Sequence, residues 1–503
     1  MIWKIAKKEF LLNMMTFKFA VGTIVCVVLM AVFMPILAKD YEERLKTYNG
    51  NVARNEAELR KVRVYKNITP TIFRSPSVLS VFSAGLEKQL GDSAKIELGT
   101  IPEIDAAPTG DNHYLSIFPV LDASLVLKIV LSLLAILVAY DTVSGEKERG
   151  TLRLILANRT ARHEVLLGKF LAGLLTLIIP ITSAFIVGLL MLQLYPMVSL
   201  SGADWIRVGL MYLASLIFIS AMYNIGLLFS CLMRRASISL VLGLFFWVVC
   251  VVVIPNGSVY VATRIRPLES REKTDGQVAL IRRELNTEAR SQAMQIYETQ
   301  SYQHMSENDV PGAFGHFYVG GCSKDFFEFW QKAYPVTEPL RIKYADKIWE
   351  VEHGYLKTVW KQRYFADNLS RISPIFSYEN VMSILAGTDL TGFQYFTGRA
   401  KAYRSQIIEH IRSKTNNFSS PSYFTTCSRE DVLEYDKDWG GKSARDAENP
   451  PSLLNLQDFP RFVHRLDLAE SVRRVIPDLA LLIFANVLFF ALSFVAFVKY
   501  DVR

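Results

Sequence analysis

Six apolar runs, each long enough to cross a bilayer, leave this chain few folds to choose from. A membrane helix needs about 20 mostly apolar residues. Phe19–Ala38, Ala123–Tyr140, Phe170–Leu194, Val208–Met233, Ala236–Ile254 and Leu479–Val498 all qualify. Hydrophobic residues make up 51% of the 503, yet 21% are charged, too many for a chain made only of spans. The first run is longer than the apolar core of a signal peptide. The Lys39-Asp40-Tyr41 that follows is a poor cleavage site, so the run reads as a retained span.

Lys and Arg in the short loops predict the orientation. Lys4, Lys7, Lys8, Lys18, Lys147, Arg149, Arg153, Arg159, Arg162, Arg234, Arg235, Lys499 and Arg503 fall on one side, and the short loop opposite offers only Arg207. This predicts cytoplasmic termini and an outer side carrying two long loops. The predicted layout is a cytoplasmic helix over 1–18, spans at 19–38 and 123–140, and an outer loop over 39–122 between them. A cytoplasmic loop over 141–164, three spans within 165–254, a large outer domain over 255–478, a last span at 479–498 and a cytoplasmic tail over 499–503 complete it. The fold class is therefore an α-helical polytopic membrane protein with six transmembrane helices and a mainly helical outer domain with some β-structure.

The net charge of +8 fits this positive-inside pattern, and no nucleic-acid-reading motif accompanies it. Spans three to six contain no ionisable residue within these limits, so the membrane part shows no proton- or ion-driven engine. Lys128 lies near the outer end of span two, where it can snorkel. Asn224 and Asn486 are read as joining helices. The stretch "DWGGKS" (438–443) resembles the end of a phosphate-binding loop, but the position that needs a further glycine is Asp436, so it is read as a turn. No zinc helix or serine elbow occurs, and the seven histidines lack ligand spacing, so neither catalytic nor metal residues are assigned. Cys26, Cys231 and Cys250 fall in apolar runs as small buried hydrophobes. Cys322 and Cys427 lie in the outer domain, where a bridge is open to them if that side is oxidising.

A helical stripe of Leu45, Tyr48, Val52, Leu59 and Val62, interrupted at Asn49-Gly50, continues the first span outward. Residues Ile68–Ile104 predict short strands and loops. In the large outer domain, Val278, Ile281, Leu285 and Ala289 mark one helix, and Tyr344, Ile348, Val351, Tyr355 and Val359 another. The segment from Ser373 to Tyr403 is expected to rest on the membrane surface, and Gly440–Pro451 to be flexible.

Three stretches carry a resemblance. "DTVSGEKERGTLRLILANRTARHEVLLGKFLAGLL" (141–175) resembles the cytoplasmic loop of type-two ABC transporter permeases. "LSRISPIFSYENVMSILAGTDLTGFQYFTGRAKAYR" (369–404) and the ending "FVKYDVR" are similar to a bacterial subgroup with a large extracytoplasmic insert between the last two spans. The resemblance implies an exporter permease in a bacterial inner membrane, paired with a second permease chain. A separate cytoplasmic ATPase subunit would hold ATP and Mg, so this chain would need no cofactor of its own.

By position, ATPase coupling would fall to Gly145, Glu146, Glu148, Arg149, Gly150, Thr151 and Leu152, with Glu146, Lys147, Glu148 and Arg149 docking in a mixed-charge groove and Gly150 allowing a sharp turn. The amphipathic N-terminal helix would add Trp3, Lys7, Glu9 and Phe10. The competing classes are a membrane-anchored sensor or scaffold whose outer domain binds a partner, and a membrane enzyme with its site in that domain.

Overall fold

An apolar run in hydrocarbon must satisfy its backbone within itself, and each of the six does so as a helix. The computed structural model describes residues 2–104, 122–157, 161–302, 306–310, 312, 323–427, 431–432, 452–464 and 467–499. Helix α1 (Ile2–Met14) precedes the first span, α2 (Phe17–Leu59). The second span is built from α3 (Ala123–Val126), a π-helical turn (Leu127–Leu131) and α4 (Ser132–Ala139). The short helices α5 (Ser144–Glu148) and α6 (Thr151–Ala157) follow it. The third and fourth spans are α7 (Arg162–Gln193) and α8 (Gly202–Leu232). The fifth joins α9 (Ala236–Val248), a second π turn (Val249–Val253) and α10 (Ile254–Ile265). The insert then contributes α11 (Arg271–Glu298), α12 (Lys324–Ser370), α13 (Pro374–Ala386) and α14 (Leu390–Lys414), before the sixth span, α15 (Leu468–Val498).

The helices outrun their apolar runs. α2 continues to Leu59 and is not broken at Asn49-Gly50. Good helix formers at Glu42–Lys46 and Glu56–Leu59 bracket the weak stretch Thr47–Val52, the glycine's own penalty is only about 1 kcal/mol, and the Arg44–Asp40 and Arg60–Glu56 pairs add i,i+4 support. Beyond it, β1 (Thr71–Phe73), β2 (Ser93–Lys95) and β3 (Glu103–Ile104) form the expected short strands, an antiparallel sheet in the order β1-β2-β3.

Contacts gather α1, the α5–α6 turn, the α8–α9 turn and the end of α15 at one pole of the bundle, here the terminal end. Lys18 Nζ lies 2.8 Å from Asp141, and Arg162 donates to the Val498 carbonyl. The sheet and the insert occupy the other pole, the insert end. Between the poles the spans pack through small residues, as membrane helices do. A Cβ on Gly226 would stand 2.7 Å from that of Ala139, and one on Gly173 would fall inside the Tyr223 ring. Asn224 and Asn486 join the fourth and sixth spans, Nδ2 to Oδ1 at 3.0 Å, while Asn486 also donates to the Ile217 carbonyl at 2.9 Å. Cys26, Cys231 and Cys250 are buried free thiols.

Helix α13 corrects the expectation of a surface-resting root. Ile375, Tyr378, Val381, Met382 and Leu385 are buried in the same apolar core as the spans. The Tyr378 ring stacks on Phe218 of α8 at 4.3 Å, and its hydroxyl shares a 2.9 Å hydrogen bond with Ser215. The sequence "PIFSYENVMSILA" is apolar on more than one face, and such a helix is stable only when surrounded.

The rest of the insert has its own aromatic-rich core, which includes Phe329, Trp330, Tyr334, Phe396, Phe418 and Tyr423. The expected stripes of α11 and α12 meet in a separate small cluster that includes Leu285, Ala289 and Tyr344, while Val351, Tyr355 and Val359 are half-buried. Val278, Leu285 and Ala289 are buried on α11, and Tyr344 and Ile348 on α12. Buried Arg404 of α14 donates to the carbonyls of Glu97 and Leu98 and pairs with Asp346, tying the sheet region to the insert helices. All of Gly440–Pro451 and of the "DWGGKS" stretch lies outside the described residues, as do His113, His304 and His316.

Gly173→Ala must push Tyr223 aside. It should lower stability by about 1–3 kcal/mol, the usual cost of overpacking, read as a lower melting temperature of the detergent-purified chain. Gly209→Ala, whose Cβ meets nothing within 4 Å, should be neutral.

Candidate functional site

The charged stretch after the second span folds as a helix–turn–helix held from inside. The backbone N–H groups of Val143 and Ser144 both donate to Ser230 Oγ of α8, at 2.9 and 3.0 Å. A side chain from another span thus satisfies donors that the first turn of α5 leaves open. Gly150 ends the helix with φ +73°, the left-handed conformation that suits glycine at a helix end. Thr151 restarts the chain as α6, and Leu152, 1% exposed, anchors that helix in the core.

The charges of α5 are largely used within the chain. Glu146 is buried, with its Oε1 2.8 Å from Lys169 Nζ of α7. Lys169 is itself 2% exposed, lies 3.3 Å from Glu9 of α1 and donates to the Thr142 carbonyl at 3.0 Å. Lys147 donates to the Cys231 and Met233 carbonyls at the end of α8, and Glu148 accepts from the Ala236 N–H that opens α9. Each charge sits at the helix end whose dipole favours it. Breaking a buried, hydrogen-bonded ion pair by removing one partner costs roughly 3–5 kcal/mol, so the Glu9–Lys169–Glu146 cluster is a fastener.

The same cluster seats α1. Ile5 lies over Gly168, where an added Cβ would come within 2.8 Å of it, and Ala6 is fully buried. Asn13 Nδ2 reaches Thr176 Oγ1 at 3.5 Å. Two segments far apart in sequence are therefore mounted together on the start of α7.

Of the coupling residues expected from sequence, Glu146 and Gly145 are buried, so Glu146 does not face a docking groove. Glu148, Arg149, Gly150 and Thr151 are exposed, while Leu152 points into the core. On α1, Trp3 (66% exposed) and Lys7 face outward, Phe10 is half-buried, and Glu9 turns in to Lys169. The outward face also includes Arg153 and Leu154, the latter 69% exposed, which the sequence reading passed over. Cys427 is buried, whereas Cys322 lies outside the described residues. Among the described residues no cluster of three or more His, Cys, Asp or Glu could hold a metal ion.

From sequence, Gly168-Lys169 counts only as part of the 141–175 stretch that carries the family resemblance, and Lys169 is given no role of its own. As a lone cation at the edge of an apolar run it reads as one more positive-inside charge, and neither of its carboxylate partners is near it in sequence.

A polytopic bundle with a short helical pair and an amphipathic helix fastened at one pole has the make-up of a membrane-embedded subunit. The chain belongs to the ABC-2 family of transporter proteins, whose model matches residues 3–318. A second model, a domain of unknown function (DUF3526), matches residues 329–462, which include α13 and α14. No curated protein matches the chain. The protein is thus a transporter permease.

Lys169→Gln should strand the buried Glu146 and the half-buried Glu9 carboxylates and lower the melting temperature sharply. Adding Glu146→Gln should recover a measurable part of the loss. Additive losses in that double-mutant cycle would contradict the fastener.

Proposed function

We propose that this chain is the permease subunit of an ATP-driven exporter in a bacterial inner membrane, with a separate ATPase subunit docking on its terminal end. The observation that carries the reading is the joint mounting of α1 and the α5–α6 turn on Lys169. That fastening leaves Trp3, Lys7, Arg149, Thr151, Arg153 and Leu154 exposed, a mix of polar and apolar side chains. The excess of Lys and Arg at this pole supports its being cytoplasmic, where ATP is available. The insert is then extracytoplasmic. ATP and Mg belong to the partner, and a second permease chain, identical or a sibling, completes the transporter. Family membership supports the transport role. Export and pairing rest on resemblance to permeases with a large insert.

The coupling surface is redrawn from the sequence expectation: Glu146 supports it from beneath, and the exposed residues of the α5–α6 turn meet the partner. A sensor or scaffold remains the competing reading, since the insert has a core of its own.

Purification of the tagged chain in mild detergent from its native host should bring down a soluble ATPase subunit. Leu154→Glu combined with Arg153→Glu should reduce that recovery at least about tenfold, the loss expected when an interface contact worth more than 1.4 kcal/mol is removed, while the melting temperature stays unchanged. Absence of an ATPase from the folded wild-type chain would sink the permease-with-partner reading.

A further inference from the structure

The second span ends at α5 on one pole and meets the insert on the other. Its first turn is tied to the preceding loop: Ser124 N–H donates to the Phe82 carbonyl at 2.8 Å, and Asp122 accepts from the Ala84 N–H at 3.1 Å. That loop is fixed in turn to the end of α13, through Ser77 Oγ on the Ala386 carbonyl at 2.6 Å and Leu86 N–H on the Thr388 carbonyl at 2.9 Å. The top of the span therefore stays with the insert. Immediately below comes the π turn, Leu127–Leu131. A π turn breaks the regular hydrogen-bond register and is a recurrent feature of functional sites. Ser132 Oγ donates to the Lys128 carbonyl within it and accepts from Trp247 Nε1 of α9 at 2.8 Å.

Lys128 lies in that turn and pairs with Glu379 of α13 at 2.7 Å. Both line a partly open cavity of about 650 Å³ at the insert end, between the 83–89 loop, the start of the second span, α12, α13 and the starts of α14 and α15. Two other ion pairs at this pole bind the insert to the sixth span. Arg371 grips Asp478 through two hydrogen bonds of 2.8 and 3.0 Å, with Asn380 adding a third of 2.8 Å, and Arg474 pairs with Asp389 at 2.8 Å. Their exposures separate the two seams. The difference lies in the carboxylates: the Asp478 and Asp389 side chains are 0% and 9% exposed and that of Glu379 47%, while the cations are alike, Lys128 17%, Arg371 29% and Arg474 18%. A solvated pair exchanges its partner for water at little cost, and a buried one does not.

We propose that the π turn of the second span is a hinge, latched by Lys128–Glu379, and that release of the latch opens the cavity between the second span and α13. α13 and the sixth span move as one body. The first turn, Ala123–Val126, stays with the insert, and the span from Lys128 to α5 swings on the π turn and carries Lys128 away from Glu379. Lys128 is a positioning residue in this device and touches no substrate. The drive for the movement rests on the coupling reading above. A displacement of α5 by the partner reaches the latch along the span, while the latch itself belongs to this chain alone.

The test uses Ser383→Cys, a half-buried position lining the cavity, and a membrane-impermeant maleimide applied to the full chain in proteoliposomes. The parent chain gives the background from its own five cysteines, of which Cys26, Cys231 and Cys250 are buried free thiols. Lys128→Met, or Glu379→Gln at the exposed partner, should raise the labelling rate roughly two- to five-fold, the population shift that an exposed ion pair of ordinary strength commands. The exchanged pair, Lys128→Glu with Glu379→Lys, should restore the slow rate. Unchanged labelling in both single variants, or an exchanged pair that labels fast although its melting temperature is normal, would overturn the latch. In the complex with the ATPase, trapping with ATP and vanadate should speed labelling of the Ser383→Cys chain. If trapping has no effect while Lys128→Met still does, the latch stands and the coupling reading fails.

Discussion

The fold at the terminal end depends on one buried cation. Lys169 emerges from the third span where no water can solvate it, and it is held by Glu146 of α5 and Glu9 of α1. An unpaired ammonium there would be very costly, so the two carboxylates must come to it. One brings the turn after the second span, and the other brings the N-terminal helix. Neither helix is long enough to be stable alone in water. Together on Lys169 they become fixed parts of the bundle, and a surface built from them can carry force. The neighbouring charges do similar work, with Lys147 and Glu148 closing the ends of the fourth and fifth spans.

The opposite pole uses the same chemistry for a different purpose. Asp478, fully buried at the start of the sixth span, accepts from Arg371 and Asn380 and so locks the insert to the last span. α13 completes the lock by packing inside the bundle, with Tyr378 against Phe218 and Ser215. The insert is therefore rooted among the spans. The second span reaches from the α5 turn to an ion pair with the insert whose carboxylate is half exposed, and this gives a permease of this build a path along which movement can pass.

The six spans were legible because hydropathy is a local property of about 20 residues. Asn224 and Asn486 were legible too, since a polar side chain in hydrocarbon has few uses other than joining helices. The turn at Gly150 followed from the glycine after a charged helix. The long polar continuation of α2 was legible as a stripe, but not its passage through Asn49-Gly50, because one glycine costs little between stretches of good formers. The inward side of α5 was not legible. A five-residue helix has no periodicity to reveal its buried face, and Glu146 looks like its neighbours until Lys169, 23 residues on, is placed beside it. Asp478 fell one residue outside the apolar run and was read as part of the outer loop. α13 did leave a trace, since an apolar run of its length is too short to span and suits a buried segment.

The central claim is that the outward face of the α5–α6 turn meets an ATPase. A photo-crosslinking amino acid at Leu154, activated in living cells of the native host, tests it most directly. The account predicts one dominant adduct, between the chain and an ATPase subunit, and none from the same amino acid at Leu280 on α11, which is also exposed. No adduct from Leu154 with the chain intact in the membrane, or an ATPase captured from Leu280 instead, would contradict it.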